Sequence, residues 1–263
     1  RVGLALASGW HPVDFAFAPE NYAERHRITE ETVETLRSLW RGETIPVTGG
    51  DGSVHEVRTF PTPIQAELPL WLTAAGNPKT FELAGRLGLN LLTHVFNLGI
   101  DQLAESIALY RRARAEAGFD PQAGCVSLML HTFVASDHEA ALATMRPALC
   151  EYLRDAGDLL AGIARSRGQQ IDLSRMSPRD IEEYVEFVFH RLVDSQRVLV
   201  GSPERCREFL VRLAAAGVDE IACQLDFGID TLVVIDSFPA LAELHELCRG
   251  PEFEASVKQV RGE

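Results

Sequence analysis

Nowhere does this chain approach the ~18 uninterrupted apolar residues that a membrane span requires, and its first residues carry no charged segment leading into an apolar signal core. Its five cysteines, Cys125, Cys150, Cys206, Cys223 and Cys248, form no CxxC pair and lie far apart. That spacing fits neither a zinc cluster nor a disulfide framework, so they read as reduced thiols, buried or idle. The eight histidines supply no HxH or HExxH pair, and no metal is expected. Basic residues are too few: 25 Lys and Arg against 38 Asp and Glu leave a net charge of −13. Nucleic acid and anionic membrane both repel such a surface, which leaves a small-molecule site and a cytoplasmic location as the expectation. Internal repeats and low-complexity tracts are lacking as well. So is an initiator methionine: "RVGLALASGW" reads as a strand already under way, and the chain is expected to begin inside a fold.

What is present is a globular composition, 263 residues with 46% hydrophobic content, enough for a large core. Val2 to Ala7 is a small apolar run of the kind that forms a strand buried on both faces. Asn21 to Trp40 has the spacing of a long helix stopped by Gly42, with a charged opposite face expected to be solvated. Gly49-Gly50-Asp51-Gly52 then forms a turn between two short edge strands. Afterwards strand and helix alternate: Leu70 to Thr73, Lys79 to Leu87, Leu89 to His94, Leu103 to Ala117, Val126 to Ala135. This rhythm implies parallel strands joined by right-handed crossovers. Residues 137–196 form a helical insertion with a loop-like stretch "SRGQQIDLSRMSPRD". A helix from Ser202-Pro203 through Ala216, the strand in "GVDEIACQLDFG" and a helix from Asp230 to Cys248 follow, for five strand candidates.

The junction "AAGNPKT" concentrates the chemistry. Asn77 suits an N-cap and Pro78 the first helical position, while Gly76 permits a sharp turn or the close approach of a ligand. A helix N-terminus at the C-terminal end of a strand favours a phosphate, and Lys79 adds a cation. Ser202-Pro203 repeats the pattern as a plain cap, and Asn77-Pro78 can be read in that way too. "LASGWHPVDF" likewise ends a strand with Ser8 and Gly9, followed by Trp10 and His11, either ligand-facing groups or ordinary core and loop residues.

Taken together, "GLALASGWHPVDFAFAPENYAER", "PLWLTAAGNPKTFELAGRLG", "LLTHVFNLGIDQLAESIALYRRARAEAG", "LMLHTFV" and "GSPERCREFLVRLAAAGVDEIACQLDFG" closely resemble the luciferase-like flavin monooxygenases, and most of all their branch tied to nonribosomal peptide and polyketide biosynthesis. The resemblance covers nearly the whole chain. It implies a TIM (β/α)8 barrel of the bacterial luciferase type, with this chain as one domain over residues 1–263 that spans about strands 4–8 and lacks the N-terminal part. Carried over, Ser8, Gly9 and Trp10 approach the flavin from the fourth strand. Ala74, Ala75, Gly76 and Asn77, with Lys79 and Thr80, hold its phosphate after the fifth, largely through backbone N–H groups.

The resemblance further implies reduced FMN delivered by a flavin reductase, dioxygen as co-substrate, a homodimer, and a small-molecule or carrier-bound natural-product intermediate as substrate. His94, His131 and Asp226 end the sixth, seventh and eighth strands and are the candidate catalytic residues. Each has a structural alternative: alternation can turn His131 outward, and Asp226 can cap or pair with an arginine. His190, in a helix, reads as scaffold. No Ser-His-Asp or Cys-His arrangement follows from spacing. A deazaflavin-dependent oxidoreductase on the same barrel, or a non-catalytic barrel remnant, are the alternatives.

Overall fold

The computed structural model describes residues 1–9, 11–96, 98–157 and 175–263. The chain opens with β1 (Leu4–Leu6), α1 (Asn21–Trp40) and a two-stranded ribbon, β2 (Ile45–Thr48) and β3 (Val54–Val57). β4 (Leu70–Ala74), α2 (Pro78–Arg86), β5 (Asn90–His94), α3 (Ile100–Glu116) and β6 (Val126–Val134) follow in strict alternation. α4 (His138–Asp155) and α5 (Pro178–Asp194) come next, then β7 (Leu199–Gly201), α6 (Pro203–Ala215), β8 (Glu220–Gln224), α7 (Thr231–Leu247) and α8 (Pro251–Arg261).

β1, β4, β5 and β6 lie side by side and parallel. β6 then divides its length between two partners. Ser127 to His131 pair with β8, and Thr132 to Val134 pair with β7. The result is an α/β half-barrel in which every strand points the same way. All the C-terminal strand ends therefore share one rim, where loops meet in folds of this kind.

Side chains on a strand point alternately to opposite faces. Leu70, Leu72 and Ala74 of β4 and Val126, Leu128 and Leu130 of β6 face the helices and pack with Phe81, Leu103, Ile107 and Phe209 in the main core. The inner face is more polar: Trp71 Nε1 donates to Ser127 Oγ at 2.8 Å, and Ser127 Oγ donates to Glu220. A second apolar cluster joins α4 and α5 to Phe133 and Val200.

The structure corrects the reading of the first strand. β1 has a single neighbour, β4, and Val2 and Leu4 are exposed, so it is an edge strand with no second face buried. The Gly49–Gly52 turn does join two edge strands, as an antiparallel ribbon separate from the main sheet. β7 and α8 were not anticipated; β7 is three residues long, too short for a periodicity to register. Within residues 137–196 the described residues form the helices α4 and α5, and most of the expected polar loop lies outside the described residues. Among the described residues no helix is long and apolar enough to cross a membrane, no metal-binding cluster occurs, and all five cysteines are free. Cys150 and Cys206 are buried and Cys223 is exposed.

α2 and α3 meet at Gly85, where an added Cβ would run into the Tyr110 carbonyl oxygen and lie 2.8 Å from the Ala113 Cβ. Gly→Ala within a helix ordinarily stabilises by up to ~1 kcal/mol. Here Gly85→Ala is expected to destabilise by ~1–3 kcal/mol through overpacking, read as a lower urea midpoint; a higher midpoint would refute the close contact.

Candidate functional site

The strand-to-helix junction after β4 forms as its residue types dictate. Asn77 caps α2, its Oδ1 accepting from the Lys79 N–H at 3.1 Å, and Pro78 occupies the first turn, where its missing N–H is not needed. Gly76 sits at φ +98°, a conformation that L side chains rarely adopt, and a Cβ there would touch Leu98 at 3.4 Å. The loop is anchored from the neighbouring strand: Thr93 Oγ1, buried on β5, donates to the Ala74 carbonyl at 2.7 Å.

Beside this junction lies a cavity of about 420 Å³. Ser8 from the end of β1 meets Asn77, Lys79 and Thr80 there, so four residues assigned from sequence share one wall. Thr73 adds a hydroxyl, and His26 and Thr29 enter from α1. The polar face of α1 carried no signal that it would be recruited. Gly9 lines an adjoining cavity of about 310 Å³ that shares Ser8 and Thr29. Its φ is +76°, and a Cβ would clash with the Phe15 ring at 2.7 Å. Ala74 is buried behind the junction and Ala75 is exposed within it. Trp10 lies outside the described residues. A cluster of hydroxyls, a lysine and a helix N-terminus beside a left-handed glycine is suited to a phosphate.

The second group of sequence-assigned residues meets farther along the same rim. Register pairs Ala74 with Thr93, which places His94 directly beyond the anchored junction. His94 Nδ1 accepts from the Phe96 N–H at 3.3 Å, which assigns the proton of the neutral ring to Nε2. Phe96 stands 6.2 Å from His94 and 4.8 Å from His131, ring centre to ring centre. His131 turns to the inner face, not to the helices, and is fully buried. Tyr152 at 4.8 Å and Phe227 at 5.2 Å complete an aromatic cage around it. Neither of its ring nitrogens has a hydrogen-bond partner among the described residues.

Burial pushes the His131 imidazole down to about 4, aided by His94 and opposed by the nearby Asp226 carboxylate. Burial also lowers His94. Both rings are thus held neutral, able to give or take one hydrogen bond at each nitrogen without bringing a charge. Asp226 is exposed. His190 is a surface residue near Glu186, outside this group.

Comparison with known proteins yields one family, described as luciferase-like monooxygenase, which matches residues 1–220. The F420-dependent hydroxymycolic acid dehydrogenase of Mycobacterium tuberculosis is 32% identical over 145 residues, which is 54% of this chain and 39% of that protein. The chain therefore spans about two fifths of that relative's length. Among solved structures, the monooxygenase RslO1 from Streptomyces bottropensis superposes with a TM-score of 0.63 at 20% identity, covering 92% of this chain and 67% of that one. The oxygenating constituent of 3,6-diketocamphane monooxygenase from Pseudomonas putida, in complex with FMN, gives a TM-score of 0.63 at 18% identity over 92% and 68% of the two chains. At these identities the two structures establish the fold.

The buried histidine has a consequence for acid stability. Unfolded, His131 titrates near ~6.5, so as pH falls below that value the unfolded chain takes up a proton that the folded chain refuses. This penalty on the folded state is absent above pH ~6.5 and grows as pH drops towards 4, to at most on the order of 3 kcal/mol; His94 acts in the same direction. His131→Phe is therefore expected to lose less stability than the parent protein between pH 7 and pH 5 in urea titrations. An equal loss in both would remove His131 as the origin.

Proposed function

The chain belongs to the luciferase-like monooxygenase family, and from that premise we propose that it is an oxidoreductase that holds a phosphate-bearing flavin at the C-terminal rim of its sheet, with reduced FMN as cofactor and monooxygenation as reaction. The observation that carries this reading is the cavity joining Ser8 to Asn77, Lys79 and Thr80. Its hydroxyl, amide and lysine groups fit a flavin phosphate, and Gly76, with no Cβ and a left-handed backbone, allows the backbone to approach the ligand. Bound there, reduced flavin would supply the activation of dioxygen and the transfer of one oxygen atom.

The protein's own contributions follow from its side chains. Ser8, Asn77, Lys79 and Thr80 would hold the phosphate and so orient the ring system. Phe96, Phe227 and Tyr152 exclude water from the neighbouring stretch of rim. A neutral His94, protonated at Nε2, can donate there and recover its proton from solvent. On this reading β1, β4, β5, β6 and β8 correspond to strands 4–8 of the barrel. The reading also brings a flavin reductase as partner, self-association as a dimer, and a natural-product intermediate, free or on a carrier, as substrate. These rest on the sequence resemblance.

A second reading is favoured by the relative at 32% identity, whose name specifies F420. In that case the same phosphate cradle would hold a deazaflavin, and the reaction would be hydride transfer without oxygen.

Anaerobic titration with reduced FMN and, separately, reduced F420 tests both readings. Tight binding of FMN followed by rapid oxygen consumption is the expected result; binding of F420 alone would select the dehydrogenase. Gly76→Val is expected to weaken binding of whichever cofactor is held by at least tenfold, about 1.4 kcal/mol, because the β-branched residue strains the backbone where a phosphate would approach. Unchanged affinity would sink the cradle.

A further inference from the structure

His131 is out of place on stability grounds alone. A neutral imidazole carries one N–H donor and one acceptor nitrogen, and leaving such groups buried without partners costs their full desolvation. An apolar ring would fill the same aromatic cage at no such cost. Buried polar groups in native proteins are nearly always satisfied, so an unsatisfied one in a cage at the functional rim calls for a partner that arrives from outside. The cage also indicates the direction of arrival. Phe96 and Phe227 are buried, whereas Tyr152, in the last turn of α4, is only half-buried. It is the one wall that can be displaced towards solvent.

We propose that His131 is the substrate-recognition group of this site: with Tyr152 turned aside, its ring hydrogen-bonds the oxygen of an uncharged, largely apolar substrate that carries a carbonyl or hydroxyl group. The cage disfavours a charged ligand twice. Three aromatic rings offer no countercharge, and the titratable groups that bear on His131, namely His94 and Asp226, sum to no positive charge when His94 is neutral. A carboxylate or phosphate would enter against its desolvation cost. An uncharged oxygen finds what the protein leaves unpaired, and this is the arrangement that discriminates most sharply against an analogue lacking that oxygen. The inference rests on the reading of this rim as the substrate end of a flavin site, but its test does not use the cofactor.

The test is nuclear magnetic resonance of the whole chain labelled in its histidine rings, titrated with cyclohexanone and, separately, with cyclohexanecarboxylate. The expected result is a saturable shift of the His131 resonances with the ketone and none with the carboxylate. His131→Phe should weaken ketone binding at least tenfold while raising the melting temperature, and His131→Gln, which keeps a donor and an acceptor, should restore most of the affinity. Tyr152→Ala should strengthen the ketone response several-fold and open His131 to modification by diethyl pyrocarbonate, which the parent protein resists. The proposal is overturned by equal ketone affinity in His131→Phe, by a carboxylate response matching that of the ketone, or by no His131 shift up to the solubility of the ketone. Reduced FMN titrated into the parent protein is scored apart: its failure would remove the flavin reading and leave the ketone result standing.

Discussion

The hydrogen bond from Thr93 to the Ala74 carbonyl holds together the two halves of the functional rim. Ala74 is the last residue of β4, and from it the chain turns through Ala75 and Gly76 into the capped N-terminus of α2. Thr93 is next to the last residue of β5, and His94 follows it. This buried contact, added to the β4–β5 ladder, ties the phosphate-type cavity to the histidine pair. Buried in a low dielectric, it is stronger than the same contact would be at the surface. It depends in turn on the parallel register of β4 and β5, since a slip of one residue would turn Thr93 to the opposite face.

The inner face of the sheet divides into two regimes. Towards the N-terminal strand ends its polar groups are mutually satisfied, Trp71 donating to Ser127 and Ser127 to Glu220. Towards the rim His131 departs from this: it stands among rings, and neither of its nitrogens has a partner among the described residues. Satisfied networks rigidify a structure, and unsatisfied groups mark the places where a protein gives up stability for function. The gradient along β6, from Ser127 to His131, thus separates scaffold from site within one strand.

Much of this was legible from the residues. Asn77 followed by Pro78 specifies a helix start by mechanism, and Gly76 a left-handed turn; both appear in the structure, and strand and helix alternate from Leu70 to Val134 as the hydrophobic pattern requires. What was not legible depends on distant packing. An apolar run such as Val2 to Ala7 reads alike in a central and an edge strand, because the number of neighbours is set elsewhere in the fold. Alternation along "LMLHTFV" allowed His131 either face. Thr93 is an unremarked strand residue until register brings it against Ala74, and His26 and Thr29 belong to a polar helix face until α1 passes beside β1 and β4. Tyr152 drew no notice in the sequence, because its significance lies in the ring it covers.

The division of β6 between two partners bears on how such a fold can change over time. The chain leaves β6 at Val134 and, after α4 and α5, comes back to lie against the same residues, with Val134 opposite Gly201 and the Ala135 N–H donating to the Gly201 carbonyl. Exit and re-entry are neighbours. As far as it is described, the excursion is a detour hung from one strand, with no part in the register between β6 and β8 and with an apolar cluster that reaches the sheet through Phe96, Phe133 and Phe227. Its length can therefore drift without changing the pairing of β6 with β8, provided that the apolar residues against Phe96, Phe133 and Phe227 are kept. Because Tyr152 belongs to it, the detour is also a modular source of new specificity over an unchanged histidine.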